Sequence, residues 1–381
     1  MKKYILFFFC FLSINTLKAE YLNIGILGAK EIKSFKFSIQ AGQYVLFSEE
    51  GKVLSLDSTT EVQVVYRDMM LEVYDKKQLL GTFDKLNFVG VGWHNYFSIS
   101  SESPTKLTKY YDDNLKVHSQ RRGMLLVNNV NIDNYVKGVV EAEVGRRAPE
   151  EYFKTQAIIC RTYALSHTYK HALEGINLCD EVHCQVYNGK CFFSPIINGT
   201  MQTSGLVVVD SSIQLITAAF HSNCGGQTLN SERVWSKPLY YLQGKRDTFC
   251  LNQQNAHWSR QIPKRQWTDY LREKLSLQDL NAIEKYIPQK ERAPYFLQPN
   301  SGLTYEDIRN HFKLKSAFFE IEDKGEYIQL KGRGYGHGVG LCQEGAMEMA
   351  RQNYSYSEIL HFYFTGVHII DLSALDFFRD N

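Results

Sequence analysis

A carboxylate on the apolar stripe of a short helix is the residue best placed for acid–base chemistry in this chain. The segment Asn134-Tyr-Val-Lys-Gly-Val-Val-Glu-Ala-Glu-Val144 reads as a helix opening at Asp133, a residue type that caps helix N-termini. On it Val136, Val139, Val140 and Glu143 fall at i, i+3, i+4 and i+7, so Glu143 shares the core-facing stripe with three valines. An apolar setting disfavours the ionised carboxylate, raises its pKa and lets it hold a proton near neutral pH, which is what a general acid requires. Glu141 lies four residues after Lys137 on the polar face and is expected to form an ordinary solvated pair with it. The competing readings of Glu143 are a buried glutamate tied structurally to an arginine and a helix end that has already unwound.

Three other constellations carry chemistry. Glycine occupies every second position from Gly332 to Gly340. An extended run of this kind would have one face of bare backbone and another presenting Arg333, Tyr335, His337 and Val339. A flat ligand such as a sugar ring could lie on the bare face; the alternative is a tight bend where another backbone packs closely. Neither the dinucleotide nor the Walker phosphate pattern fits the spacing. His171, Cys179, His183 and Cys184 offer two thiolates and two imidazoles, the donor set of a closed structural zinc site. The alternatives there are a Cys179–Cys184 or Cys184–Cys191 disulfide. His221-Ser-Asn-Cys-Gly-Gly-Gln-Thr228 brings His221, Ser222 and Cys224 together, and is read as a substrate-lining loop rather than a covalent nucleophile.

The elements that must position these groups are of mixed type, and the fold class expected is α+β: a β-rich N-terminal segment followed by a mixed α/β catalytic domain. Residues 21–107 alternate apolar and polar over short stretches separated by turns such as Ala41-Gly42 and Glu50-Gly51. Thr105–Asn114 reads as a polar connection. Met124–Val130 is a strand leading into the Glu143 helix. Pro149-Glu-Glu opens a longer helix burying Phe153, Ala157, Cys160 and Ala164. Gly205–Phe220 suggests two strands around Asp210-Ser-Ser, Asn255–Glu320 helices and loops, and 342–351 and 357–364 two more helices. The domains expected are a signal peptide over 1–19, a β-rich domain over 20–110 and a catalytic domain over 111–375.

Met1-Lys-Lys, the apolar run Tyr4–Ile14 and the small Ala19 have the form of a secretory leader, so the chain is expected to be exported, to the periplasm or cell envelope, with no membrane span once mature. The net charge of +2 lacks the basic footprint of a nucleic-acid binder. With Cys10 gone in the leader, seven cysteines remain, an odd set that leaves a free thiol or a metal site.

Taken together, four stretches resemble the SpoIID/LytB family of bacterial cell-wall proteins: Val130–Glu143, Lys154–Ala164, Phe220–Thr228 with Val234-Trp235, and Gly332–Ala346, in the family's order. The resemblance implies a lytic transglycosylase acting on peptidoglycan glycan strands, in one branch strands stripped of stem peptides. It places the catalytic acid at Glu143; alongside it, Arg161, His221, Ser222, Arg333, Tyr335, His337 and Gln343 are expected to contact the substrate. Members with a Cys/His cluster bind zinc, which implies a structural zinc at His171, Cys179, His183 and Cys184 and no cofactor for catalysis. Some relatives are enhancers of a cell-wall amidase, the second partner implied. The chain departs from the pattern at Val144-Gly145, where Met-Pro is frequent, at Cys342, where serine is usual, and at Glu344, where an aromatic is common; Glu344 is also a candidate second acid.

Overall fold

The computed structural model describes residues 21–102, 105–235, 237–275, 292–296 and 302–379. The leader expected over 1–19 lies outside them. Within them the chain is α+β, with the strands concentrated in the N-terminal third.

An eleven-stranded sheet dominates that third. Its spine is two long antiparallel strands, Ser34–Ser48 and Lys85–Ser101, whose alternate residues Phe35, Phe37, Leu46, Phe88 and Phe97 turn inward. Phe37 stacks on both Phe88 and Phe97, with ring centroids 4.2 and 4.9 Å apart. Such pairs each add about 0.5–1.5 kcal/mol to the area they bury. The same sheet continues through Asn114–Gln120 and Gly123–Asn131 to Tyr21–Ile26, and ends on the two-residue strand Leu178–Cys179. Pairing therefore runs unbroken across residue 110, where a domain boundary was expected, and one apolar core joins the N-terminal strands to the first two helices.

Helix α1 (Ile132–Val144) leaves this sheet directly, followed by α2 (Glu150–Ser166) and α3 (Ser194–Gln202). Asn131, not Asp133, caps α1: its side-chain oxygen accepts from the Asp133 amide over 2.9 Å. Asp133 sits in the first turn instead and turns its carboxylate toward α2. Helix α2 is apolar on two sides because it divides two cores. Phe153, Ala157, Cys160 and Ala164 face the large sheet, as expected, while Tyr152, Ile158 and Ile159 face a second core.

That second core holds α4 (Glu232–Trp235) at its margin and packs two short strand pairs against later helices. Leu206–Val209 pairs antiparallel with His368–Asp371, and Phe220–His221 pairs parallel with Leu341–Cys342. The hairpin expected around Asp210 is only half formed. The chain after Ile216 leaves its partner, and His221 finds its neighbour more than a hundred residues away. A third core lies between α5 (Lys264–Lys274), α6 (Tyr305–Phe312) and the sheet His257–Pro263, Tyr327–Arg333 and Phe319–Asp323. Helices α7 (Gln343–Arg351), α8 (Tyr356–Tyr363) and α9 (Leu372–Arg379) complete the chain, α8 closed by a reciprocal Ser355–Glu358 capping box.

Two expected connections contain strands. Leu107–Asp112 pairs with Lys85–Ser101, and His257–Pro263 pairs with Tyr327–Arg333. Both mix polar and apolar residues without a clean alternation, and in His257–Pro263 most side chains stay exposed, so the pattern that announces a strand is weak. Among the described residues no helix is long and apolar enough to cross a membrane.

Candidate active site and metal cluster

Glu143 sits in the last turn of α1, half-buried, below Val136, Val139 and Val140, which are fully buried. Its Oε1 accepts one hydrogen bond, from the Val186 amide over 3.0 Å. Burial holds the carboxyl above its ordinary value, and the amide offsets part of that rise. No arginine or lysine pairs with it among the described residues. Glu141, by contrast, pairs with Arg146 over 2.7 Å rather than with Lys137, which turns to Asn134.

A polar layer lies against Glu143. Tyr152 is within electrostatic reach of both Glu143 and Cys342, touches the Gln343 side chain, and donates to Gln156 Oε1 over 2.8 Å. Gln156 continues to Cys160 Sγ over 3.4 Å, and the Gln185 side chain reaches the same sulfur. Two buried amide nitrogens here, Gln185 Nε2 and Gln343 Nε2, lie near these groups but complete no hydrogen bond of good geometry among the described residues. Gln185, Val186 and Tyr152 were not foreseen from sequence. The sole hint for Tyr152 was its i, i+4 spacing to Gln156, and Gln185-Val186 simply follow the expected metal ligands.

The glycine run is not extended. Strand geometry stops at Arg333, and Gly334, Gly336, Gly338 and Gly340 all take positive φ. The chain winds against the backbone of residues 219–225: a Cβ on Gly340 would lie 2.2 Å from the Ala219 carbonyl oxygen, and one on Gly334 2.6 Å from that of Asn223. The close-packing alternative therefore describes the run, and no bare face is left for a sugar ring. His337 is locked by its own surroundings, Nε2 donating to the Phe220 carbonyl over 3.0 Å and Nδ1 accepting from the Val339 amide over 3.1 Å. Burial pushes its pKa down to about 4. His221 donates from Nδ1 to the Val339 carbonyl over 3.1 Å and is held well below the usual histidine value by burial. Its Nε2 is buried and unpartnered.

The remaining expected contacts are dispersed. Arg161 is 0 % exposed; it binds Asp133 through Nε (3.0 Å) and Nη2 (2.6 Å) and the Leu206 carbonyl through Nη1 (3.0 Å). It ties α2 to α1 and to the strand Leu206–Val209 and has no surface to offer a glycan, so a structural tie replaces the expected contact. Ser222 Oγ accepts from Asn255 Nδ2 over 3.3 Å. Glu344, the candidate second acid, accepts from Asn223 Nδ2 (2.6 Å) and Asn255 Nδ2 (2.7 Å). Arg333 lies over the Phe318 ring, and Tyr335 is 45 % exposed beside Lys315. A cleft of ≈ 560 Å³, bordered by Arg233, Arg292, Tyr295 and Asp307, does not include Glu143.

The four expected metal ligands do converge. His171, Cys179, His183 and Cys184 place one ligand atom each within 4.8 Å of all the others. Cys184 Sγ lies 3.4 Å from His171 Nε2 and 3.8 Å from His183 Nδ1, and Cys179 Sγ 3.9 Å from His183 Nδ1. Tetrahedral zinc, with bonds of about 2.3 Å to sulfur and 2.0–2.1 Å to nitrogen, sets the two donor types about 3.5 Å apart. His171 Nδ1 is held by Glu174 Oε1 at 2.6 Å, which aims Nε2 at the cluster as a carboxylate behind a metal-bound histidine does. The set fits the metal. All seven cysteines of the described residues are free.

Residues 120–209 match the family described as Stage II sporulation protein. An uncharacterised protein of Brachyspira hyodysenteriae is 31% identical over 263 residues, 66% of this chain and 70% of that one. The Stage II sporulation protein D of Bacillus subtilis is 28% identical, over 65% of this chain and 77% of its own. The chain belongs to the SpoIID/LytB family. The family match begins just before the strand Gly123–Asn131 and ends with Leu206–Val209, so it contains α1, Glu143 and the Cys/His cluster. A further relative in the SpoIID/LytB family, the Amidase enhancer of Bacillus subtilis, is 26% identical over 61% of this chain and 39% of its own.

Proposed function

We propose that this SpoIID/LytB protein acts on the bacterial cell wall as a lytic transglycosylase of peptidoglycan, with Glu143 as the one acid–base group. The observation that carries the reading is a half-buried carboxyl with a raised pKa and, among the described residues, a single amide contact and no cation to hold it ionised. Neutral Glu143 protonates the oxygen linking N-acetylmuramic acid to N-acetylglucosamine. That bond breaks, leaving an oxocarbenium-like centre at C1. The carboxylate then takes the proton of the muramic C6 hydroxyl as its oxygen closes on C1, giving a 1,6-anhydro end. A hydrolase needs a second carboxyl for water; here the substrate supplies the nucleophile and one carboxyl returns to its starting state. The unpartnered nitrogens of Gln185 and Gln343 supply hydrogen bonds that a sugar hydroxyl or N-acetyl group can complete.

His171, Cys179, His183 and Cys184 would hold a structural zinc. Its chemistry is that of a staple, since all four positions are filled by protein. The leader sequence supports export to the cell envelope. Purified protein incubated with glycan strands stripped of stem peptides should yield 1,6-anhydro ends by mass spectrometry, and Glu143→Gln should lower the rate about 10²–10⁴-fold. Product formation at the wild-type rate in that variant removes Glu143 from the reaction.

The relative named Amidase enhancer favours a second reading, a non-enzymatic stimulator of a wall amidase. Glycan cleavage by the pure protein, with no amidase present, excludes it as the sole activity.

A further inference from the structure

Three cysteines distant in sequence meet one aspartate beside the parallel strand pair. Cys224 Sγ lies 3.3 Å from Cys250 Sγ and 3.3 Å from Asp247 Oδ2. Cys342 Sγ accepts the Cys224 amide over 3.2 Å. One ligand atom from each of the four residues lies within 4.8 Å of all the others, and all four residues are buried. We propose that Cys224, Asp247, Cys250 and Cys342 bind a second zinc ion, enclosed and structural, separate from the Cys/His site.

The donor set is the first argument. Three soft sulfurs and one carboxylate oxygen complete a tetrahedron with no position left for water, which is the form of a structural zinc site. The carboxylate is the second. Asp247 is 0 % exposed, and its contacts are the Tyr363 hydroxyl (2.9 Å), the Phe249 amide (3.0 Å) and the Cys224 thiol. No lysine, arginine or histidine pairs with it among the described residues. A carboxylate removed from water without a cation is expensive, and a divalent ion meets that cost directly.

The surroundings of the sulfurs are the third. Besides the Cys224 amide on Cys342, the amides of Gly226 and Cys224 contact Cys250. Gly226, at φ +99, lets the chain turn its amide back toward that sulfur. Amides gathered on sulfur favour thiolates over thiols. Three thiolates, one carboxylate and Zn²⁺ sum to two negative charges. The half-buried Arg292 guanidinium, bonded to the Cys224 carbonyl over 2.9 Å, supplies a positive charge at the edge of the cluster. An occupied site would pin the pair Phe220–His221 and Leu341–Cys342, which carries His221 and leads into Gln343.

The rival is a Cys224–Cys250 disulfide, which leaves the Asp247 carboxylate buried with hydrogen-bond donors but no cation among the described residues. Metal content separates the two and does not depend on whether the protein cleaves glycan. The full chain, produced in zinc-supplemented medium, should carry two zinc ions by elemental analysis. Zinc-edge X-ray absorption on it should show five sulfur ligands shared between two metals. Cys250→Ser and the double variant His171→Ala/His183→Ala should each retain one zinc, with three sulfurs and one oxygen around the metal in the latter. One zinc per wild-type chain with two sulfurs, or a linked Cys224–Cys250 peptide in the intact protein, overturns the proposal. Because the wild-type count and sulfur number decide by themselves, a variant that fails to fold leaves the test intact.

Discussion

The Val186 amide donates to Glu143 Oε1 over 3.0 Å, and Val186 lies two residues beyond Cys184. The metal cluster and the candidate acid are thus joined by one short piece of backbone. Leu178–Cys179 is itself the edge strand of the large sheet, so a cation bound at the Cys/His cluster would fix the loop 179–186 to the same body that carries α1. Glu143 is positioned from one side by its helix and from the other by this loop.

The raised pKa of Glu143 gives a prediction whose sign can be worked out. A general acid must be protonated, so glycan cleavage should fall as pH rises through the folded-state pKa. Stability follows the same proton. With the folded value above the ordinary 4.5, the group's contribution is complete below 4.5 and is lost as pH rises through the folded pKa. Glu143→Gln cannot ionise, and its amide oxygen can still accept from Val186. The variant should therefore melt higher than the wild type at pH 7, with the gap closing below pH 4.5. Melting curves across that range check it, and a lower melting point at pH 7 contradicts a desolvated carboxylate.

Glu174 should matter to the metal without touching it. It is largely exposed and binds His171 Nδ1 at 2.6 Å. Removing such a partner typically weakens metal affinity 10–100-fold. Glu174→Ala should show that loss in competition with a zinc-binding dye, and glycan cleavage should become sensitive to mild chelation. Equal affinity in variant and wild type would mean that Glu174 merely salts the surface.

What the sequence disclosed follows from which interactions are local. The stripe Val136, Val139, Val140 and Glu143, the inward face of α2 and the Cys/His spacing all lie within short windows, and the structure assembles them as the spacing suggests. The glycine run misled because alternation describes a strand equally well as a chain of turns; only the backbone at 219–225 decides between them. The structural role of Arg161 is hidden in the sequence because its partner Asp133 lies 28 residues earlier, outside any local window. Polar strands such as His257–Pro263 are made by pairing with Tyr327–Arg333, which no local window contains.

Arg161 gives the test of that correction. Breaking a buried pair by removing one partner costs about 3–5 kcal/mol, and the low end applies because Asp133 keeps some solvent contact. Arg161→Ala should lose about 3 kcal/mol in urea unfolding. Once the loss is offset by low temperature, KM for glycan should stay near the wild-type value. A large rise in KM in a folded variant would restore Arg161 as a contact.

Gly340 tests whether the glycine run exists for packing. Its φ is +72, and a Cβ there would meet the Ala219 carbonyl oxygen at 2.2 Å and its carbon at 3.0 Å, both backbone atoms. That oxygen accepts the Leu341 amide over 3.0 Å, at the start of the parallel pair. Left-handed backbone alone costs alanine about 1–2 kcal/mol, and the contact adds to it because neither atom can rotate away. Gly340→Ala should therefore lower the unfolding free energy measured in urea by at least that much and displace Cys342 and Gln343. Gly123→Ala is the control: it begins a strand with nothing within 4 Å of the added carbon, and should change stability by no more than about 0.5 kcal/mol. Equal midpoints for the two variants at unchanged m would show that the run is not packed as described.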